Sequence, residues 1–168
     1  MASVPLGASE YFHVELLQGV NVAIPLDHTA EVLRLRAQDI CLIPGVSPAL
    51  LGISNQRGRL LWMLDLLHIL GLVPPTHGRT NERLTALVVK EVTPEQPRQF
   101  ACIVHQLRGI ISVLPEQVQP VPTRLQREVR QYLSGFMQLE RQPILLLNID
   151  AIFQAVARSP VSSSALSL

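Results

Sequence analysis

Asp65 has the chemistry of a general base, and with Trp62 and His68 close by in sequence it marks the one place where an enzyme or small-ligand site could form. Such a site needs a convergent set of polar groups, and the surrounding apolar residues supply none. An acid at that position also has a structural role, as the cap of a short helix. Gly45-Val46-Ser47-Pro48-Ala49 superficially resembles a nucleophile elbow. The second glycine is missing, however, and N-capping accounts for Ser47. The five histidines, His13, His28, His68, His77 and His105, form no i,i+4 pair and have no CxxC nearby, so no metal centre is expected. No glycine-rich phosphate cradle is present. Cys41 and Cys102 each lie in an apolar run and read as free buried thiols, with a disulfide as the alternative. No catalytic residue, metal or cofactor is assigned.

The elements around these residues are mostly strands. Apolar residues make up 48% of the 168-residue chain and charged residues 16%, which excludes a disordered chain and allows a full core. Strands are predicted over Tyr11–Leu17, Val22–Leu26, Glu31–Leu35, Leu60–Leu64, Leu84–Lys90, Phe100–Val104, Ile110–Leu114 and Ile144–Leu147. Ser47 to Leu51 predicts a helical turn with Pro48 at its first position and Gly52 as its stop. Asp65 caps a helix over Leu66–Leu70 that Gly71 ends, and Arg57-Gly58-Arg59 is a tight turn. Arg124–Tyr132 has helical spacing, and Asp150–Ala157 reads as a final helix.

The two halves repeat. Gly52 and Asp65 recur as Gly135 and Asn148, an offset of 135 − 52 = 83 that also relates Leu66 to Ile149 and Leu70 to Phe153. Val22 to Leu26 maps onto Phe100 to Val104 at 100 − 22 = 78, so five extra residues fall in the proline-rich loop of the second half. The chain thus predicts two copies of one β unit, each closed into a small barrel to remove exposed edges. The expected organisation is an arm at 1–10, one domain at 11–157 with barrels at about 11–72 and 84–148, a linker near 73–81, and a tail at 158–168.

A net charge of +1 without a basic stripe argues against nucleic acid, and no apolar run of about 18 residues predicts membrane insertion. The N-terminus has no signal-peptide pattern, so a cytoplasmic location is expected. One exposed motif stands apart: Asn55-Gln56-Arg57-Gly58 places cationic forks at a tip between apolar runs, a position suited to partner contact.

The run from Ile43 to Leu66, containing Leu51-Gly52-Ile53-Ser54-Asn55-Gln56-Arg57-Gly58 and Asp65-Leu66, resembles the signature of the CheW-like chemotaxis family. Val113-Leu114-Pro115-Glu116-Gln117-Val118, Tyr132-Leu133-Ser134-Gly135 and Leu145-Leu146-Leu147-Asn148-Ile149-Asp150 resemble later motifs of that family in the same order. The segment Leu61 to His68 is further similar to the cyanobacterial branch that serves phototaxis and pilus-driven motility. The resemblance implies two five-stranded barrels and a non-catalytic signal-transduction adaptor between a methyl-accepting chemotaxis or phototaxis receptor and the CheA-type histidine kinase of a two-component system. It places Glu31, Asn55, Arg57 and Gly58 on the receptor side, and Gly109, Ile110 and Ile111 on the kinase side. Gln56 and His105-Gln106-Leu107-Arg108 depart from the family pattern. The alternative is a small-ligand-binding barrel or enzyme with its site between the barrels.

Overall fold

The computed structural model describes residues 4–17, 19–72, 82–92, 95 and 97–157. Its first repeat holds β1 (Ser9–Leu17), β2 (Val20–Pro25), β3 (Thr29–Arg36), β4 (Leu50–Gln56), β5 (Arg59–Leu64) and α1 (Leu66–Ile69). The second holds β6 (Arg83–Lys90), β7 (Gln99–Val104), β8 (Gln106–Val113), α2 (Arg127–Arg130), β9 (Leu133–Leu139), β10 (Gln142–Leu147) and α3 (Ile149–Ala157). The protein is mainly β, with two five-stranded sheets and short helices, as its sequence predicts. The linker near 73–81 and the tail at 158–168 lie outside the described residues.

The sheets do not follow the expected division into 11–72 and 84–148. The first has the order β8-β1-β2-β10-β9 and the second β3-β6-β7-β5-β4. Each sheet therefore takes its first two strands from one repeat and the other three from its partner repeat. The exchange is joined by two parallel ladders. In one, Leu145 pairs with Val22 and Leu146 with Ala23; in the other, Trp62 pairs with Phe100 and Met63 with Ala101. These pairs correspond at the sequence offsets of 78 and 83, so the repeat extends to the register of individual residues.

The central strands β2 and β7 are apolar apart from Asn21 and Gln99 because both faces are covered. On β7, Phe100, Cys102 and Val104 face a layer shared by the two sheets, whereas Ala101 faces an inner cluster of its own sheet. On β6, Leu87 and Val89 face the shared layer, and Ala86 and Val88 the inner one. The other sheet has a matching inner cluster of Ala23, Val113, Met137, Ile144 and Leu146. The shared layer also takes Leu66, Leu67, Ile149, Ile152 and Phe153 from α1, α3 and their starts. Each fully buried Leu, Ile or Phe stabilises by about 1.5–3 kcal/mol, against about 0–1 kcal/mol for an exposed ion pair, so this layer holds the sheets together. Cys102 lies within it, and burial pushes its thiol up to about 12. Cys41, expected to be buried, is exposed; both thiols are free.

The expected barrels are not closed by complete ladders. Beyond β3, Cys41 alone bridges to Ile53 on β4, through backbone bonds of 2.7 and 2.9 Å. Beyond β8, Gln119 bridges to Phe136 on β9 at 2.8 and 3.0 Å. The two bridges are again equivalent at offsets of 78 and 83. They explain Gly52 and Gly135: a Cβ on Gly52 would sit 2.2 Å from the Cys41 carbonyl oxygen, and one on Gly135 2.9 Å from that of Gln119. Gly52 is thus a strand residue under a crossing chain, not the stop of a helix. The predicted helical turn at Ser47 is a β-turn, with the Leu50 N–H donating to the Ser47 carbonyl at 2.8 Å, and β4 begins directly after it.

Candidate partner-binding surface

β4 and β5 form a hairpin in which Gln56 pairs with Arg59, leaving Arg57 and Gly58 as a two-residue tip. Both have positive φ, 54° and 84°, as a type I′ turn requires. The Asn55 side-chain oxygen accepts the Gly58 N–H at 2.9 Å and closes the turn. Asn55 and Gly58 therefore build the tip, and Arg57 is what the tip presents. Its side chain is exposed and has no hydrogen bond or ion pair among the described residues.

Glu31 on β3 belongs to a different arrangement. It forms an ion pair with Arg59, which also donates to the Gln99 side-chain oxygen at 3.2 Å. Strands β3, β5 and β7 of one sheet are thus tied side chain to side chain. The Glu31 carboxylate is occupied within the protein, close to the hairpin but not free on it.

Gly109, Ile110 and Ile111 lie on β8, at the edge of the other sheet. Gly109 has φ 134° beside a bulge where Arg108 is the extra residue against β1. Ile110 is 54% exposed, and Ile111 packs on the inner cluster of its sheet. Arg108 reaches back to pair with Glu15, which is buried and also accepts the Gly19 N–H at 3.2 Å. The Arg108 hydrogen bond, helped by that N–H and by the charges of Arg108 and His105, holds the Glu15 carboxyl below its ordinary range. The structure therefore separates the two predicted surfaces, one on each sheet. Glu31 and Gly109 are nonetheless repeat equivalents: Glu31 pairs with Val88 on β6 and Gly109 with His13 on β1.

The residues suited to catalysis do not converge. Asp65 is buried, and its carboxylate accepts the N–H groups of Leu67 at 3.0 Å and His68 at 3.4 Å, which makes it the cap of α1. Trp62 packs against the shared core, and His68 is exposed. The Ser47 hydroxyl accepts the Ala49 N–H within its own turn at 3.4 Å. An open depression of about 580 Å3 lies elsewhere, lined by Ser9, Glu10, Tyr11, Pro25, Leu26, Asp27 and His28, and contains none of the predicted site residues. Among the described residues no group of three or more His, Cys, Asp or Glu could hold a metal ion, and no helix is long and apolar enough to cross a membrane. The ion pairs Glu31–Arg59 and Glu15–Arg108 join residues far apart in the chain, and no local pattern announces them.

Comparison with known proteins places this geometry. The model of the CheW-like domain matches residues 10–157. A probable chemotaxis protein CheW of Rhizobium etli is 29% identical over 108 residues, which cover 64% of this chain and 65% of the relative. The match thus spans just under two thirds of that relative's length. The crystal structure of the scaffolding protein TtCheW from Thermoanaerobacter tengcongensis superposes with a TM-score of 0.66 at 16% identity, covering 84% of this chain and 89% of that one. That likeness establishes a shared fold, and the family match runs from the second residue of β1 to the end of the last helix. The chain belongs to the CheW-like domain family.

Proposed function

We propose that this protein is a non-catalytic adaptor of chemotaxis-type signalling. It couples a methyl-accepting receptor to a CheA-type histidine kinase in the cytoplasm. The observation that carries this reading is the family match from residue 10 to 157. The hairpin tip supports it, because Arg57 is presented outward on a turn that Asn55 and Gly58 hold in shape. A guanidinium there offers a planar fork of donors to a carboxylate or backbone oxygen of the receptor. The edge around Gly109, Ile110 and Ile111 faces the kinase. The sequence similarity of Leu61 to His68 favours a phototaxis or pilus-motility system as the setting. Asp65 and Trp62 serve the fold, so the reading of a ligand site between the sheets has no structural observation in its favour.

The test is binding of the purified protein to receptor signalling tips and to histidine kinases, with wild type and Arg57→Glu side by side. Wild type binds both. Arg57→Glu melts at the same temperature, because an exposed turn charge contributes little to folding. It loses about 2–5 kcal/mol of receptor binding, at least about 30-fold in Kd, and keeps the kinase. Equal receptor binding by the variant would remove the hairpin tip from the interface, and a chain that binds neither partner would remove the proposed function.

A further inference from the structure

The repeats differ most in one place. Between the closing bridge and the fourth strand, the first repeat has eight residues, 42–49, none of them charged. The second has thirteen, 120–132, with Arg124, Arg127, Arg130 and Glu128 among them. The whole chain carries 14 basic and 13 acidic residues, so the remainder holds 14 − 3 = 11 against 13 − 1 = 12. The excess positive charge of the protein therefore resides in this insertion.

The insertion is firmly seated. Leu125, Val129 and Tyr132 pack on the shared core. The Val129 methyl lies 3.4 Å from where a Gly71 Cβ would be, so α2 rests against the end of α1. The Tyr132 carbonyl accepts the Asn148 N–H at 2.8 Å. Arg124 and Arg127 are exposed and Arg130 is half-buried. Arg36, Arg59, Arg98 and Arg108 each have a carboxylate partner. Arg34, Arg57, Arg83 and Arg141 have none among the described residues, and neither do the three arginines of the insertion, which alone are gathered in one short segment. The Arg130 Nε–H, moreover, is shielded from solvent and has no acceptor. A buried donor without an acceptor is costly, and no hydrogen bond or ion pair among the described residues holds this guanidinium.

From this we infer that the face formed by Arg124, Arg127 and Arg130 is a second docking surface, built for an acidic segment of a protein partner. Arg127 and Arg130 on α2 and Arg124 in the turn before it offer three cations against the single carboxylate of Glu128, on a segment fixed by its apolar side, and so suit an acidic peptide. Arginine suits this role because its donors engage a carboxylate in pairs. The surface is distinct from the Arg57 tip and does not depend on a receptor binding there.

The experiment measures binding of a fluorescent glutamate-rich peptide to the full chain at low and physiological ionic strength. Wild type binds the peptide, and added salt weakens the binding. Replacing all three arginines by glutamine weakens it by about two- to fivefold per residue, on the order of tenfold to a hundredfold together. Melting temperatures of both proteins confirm that the variant is folded, and a set of single substitutions gives the same reading should the triple variant unfold. Arg57→Glu leaves peptide binding unchanged. The inference is overturned if wild type does not bind the peptide at low salt, if the triple variant binds as well as wild type, or if Arg57→Glu abolishes binding. It is also overturned if single-stranded RNA or phosphatidylglycerol vesicles are bound more tightly than the peptide, since the surface would then be a general polyanion site.

Discussion

Replacing Gly52 with alanine tests the closing bridge more sharply than any core substitution. Its φ of 151° is a conformation that residues with a side chain rarely adopt. An alanine Cβ there would lie 2.2 Å from the Cys41 oxygen and 2.9 Å from its carbonyl carbon, both backbone atoms. The strand can relieve this clash only by separating Cys41 from Ile53, which breaks their two hydrogen bonds. At about 1 kcal/mol for each bond and about 1–3 kcal/mol for the backbone conformation, the expected loss is about 3–5 kcal/mol. With a urea slope of about 2 kcal/mol/M, the unfolding midpoint drops by about 1.5–2.5 M. Gly58→Ala is the control. It too has positive φ, 84°, but nothing lies within 4 Å of its Cβ position, so its cost is about 1–2 kcal/mol. Urea titrations of the three proteins decide the matter. A Gly52→Ala midpoint as high as that of Gly58→Ala would show that the crossing chain does not close the sheet as described.

Asp65→Ala removes the acceptor for two N–H groups of α1 and lowers stability by about 0.5–2 kcal/mol, read as a lower midpoint in the same titration. The fragment 4–72 does not fold alone, since β1 and β2 lose β8 and β10 while β3 and β5 lose β6 and β7; a cooperative unfolding transition of the isolated fragment would contradict the strand exchange. Acid weakens the fold through Glu15, whose carboxyl is held below its ordinary 4.5 chiefly by Arg108. A depressed carboxyl contributes stability above its unfolded pKa and loses it as pH falls through the folded value, so the melting temperature declines as pH drops below about 4.5. Glu91, lowered by Arg98, and Asp39, lowered by the Arg36 N–H, act in the same direction. Glu15→Gln therefore melts lower than wild type near neutrality and shows a shallower acid decline.

The repeat itself was open to reading because its spacing is carried by glycines and caps, residues whose backbone roles are local. Asp65 caps α1, and the Asn148 side chain accepts the Ala151 N–H at 3.1 Å. Two strands were hidden, and they are the same strand twice. β4 and β9 contain Gly52 and Gly135 at positions that read as breaks, and each follows a turn or short helix whose spacing suggests more helix. The glycines answer to a crossing chain that lies far from them in local pattern. The exchange of strands was equally hidden. Val22 and Leu145 pair across most of the chain, and repeated units look the same whether each closes on itself or on its partner. At the surface, the Arg57-Gly58 tip was legible from turn chemistry. The pairing of Glu31 with Arg59 was not, because it depends on how β3 and β5 come together in the sheet.

Coupling of receptor to kinase by this protein is measured directly by one reconstitution. Receptor, CheA-type kinase and this protein are combined, and kinase autophosphorylation is followed with and without the receptor stimulus. Wild type is expected to place the kinase under receptor control, whereas Arg57→Glu, folded and still bound to the kinase, is not. Control by the receptor in the absence of this protein, or undiminished control with Arg57→Glu, would contradict that expectation.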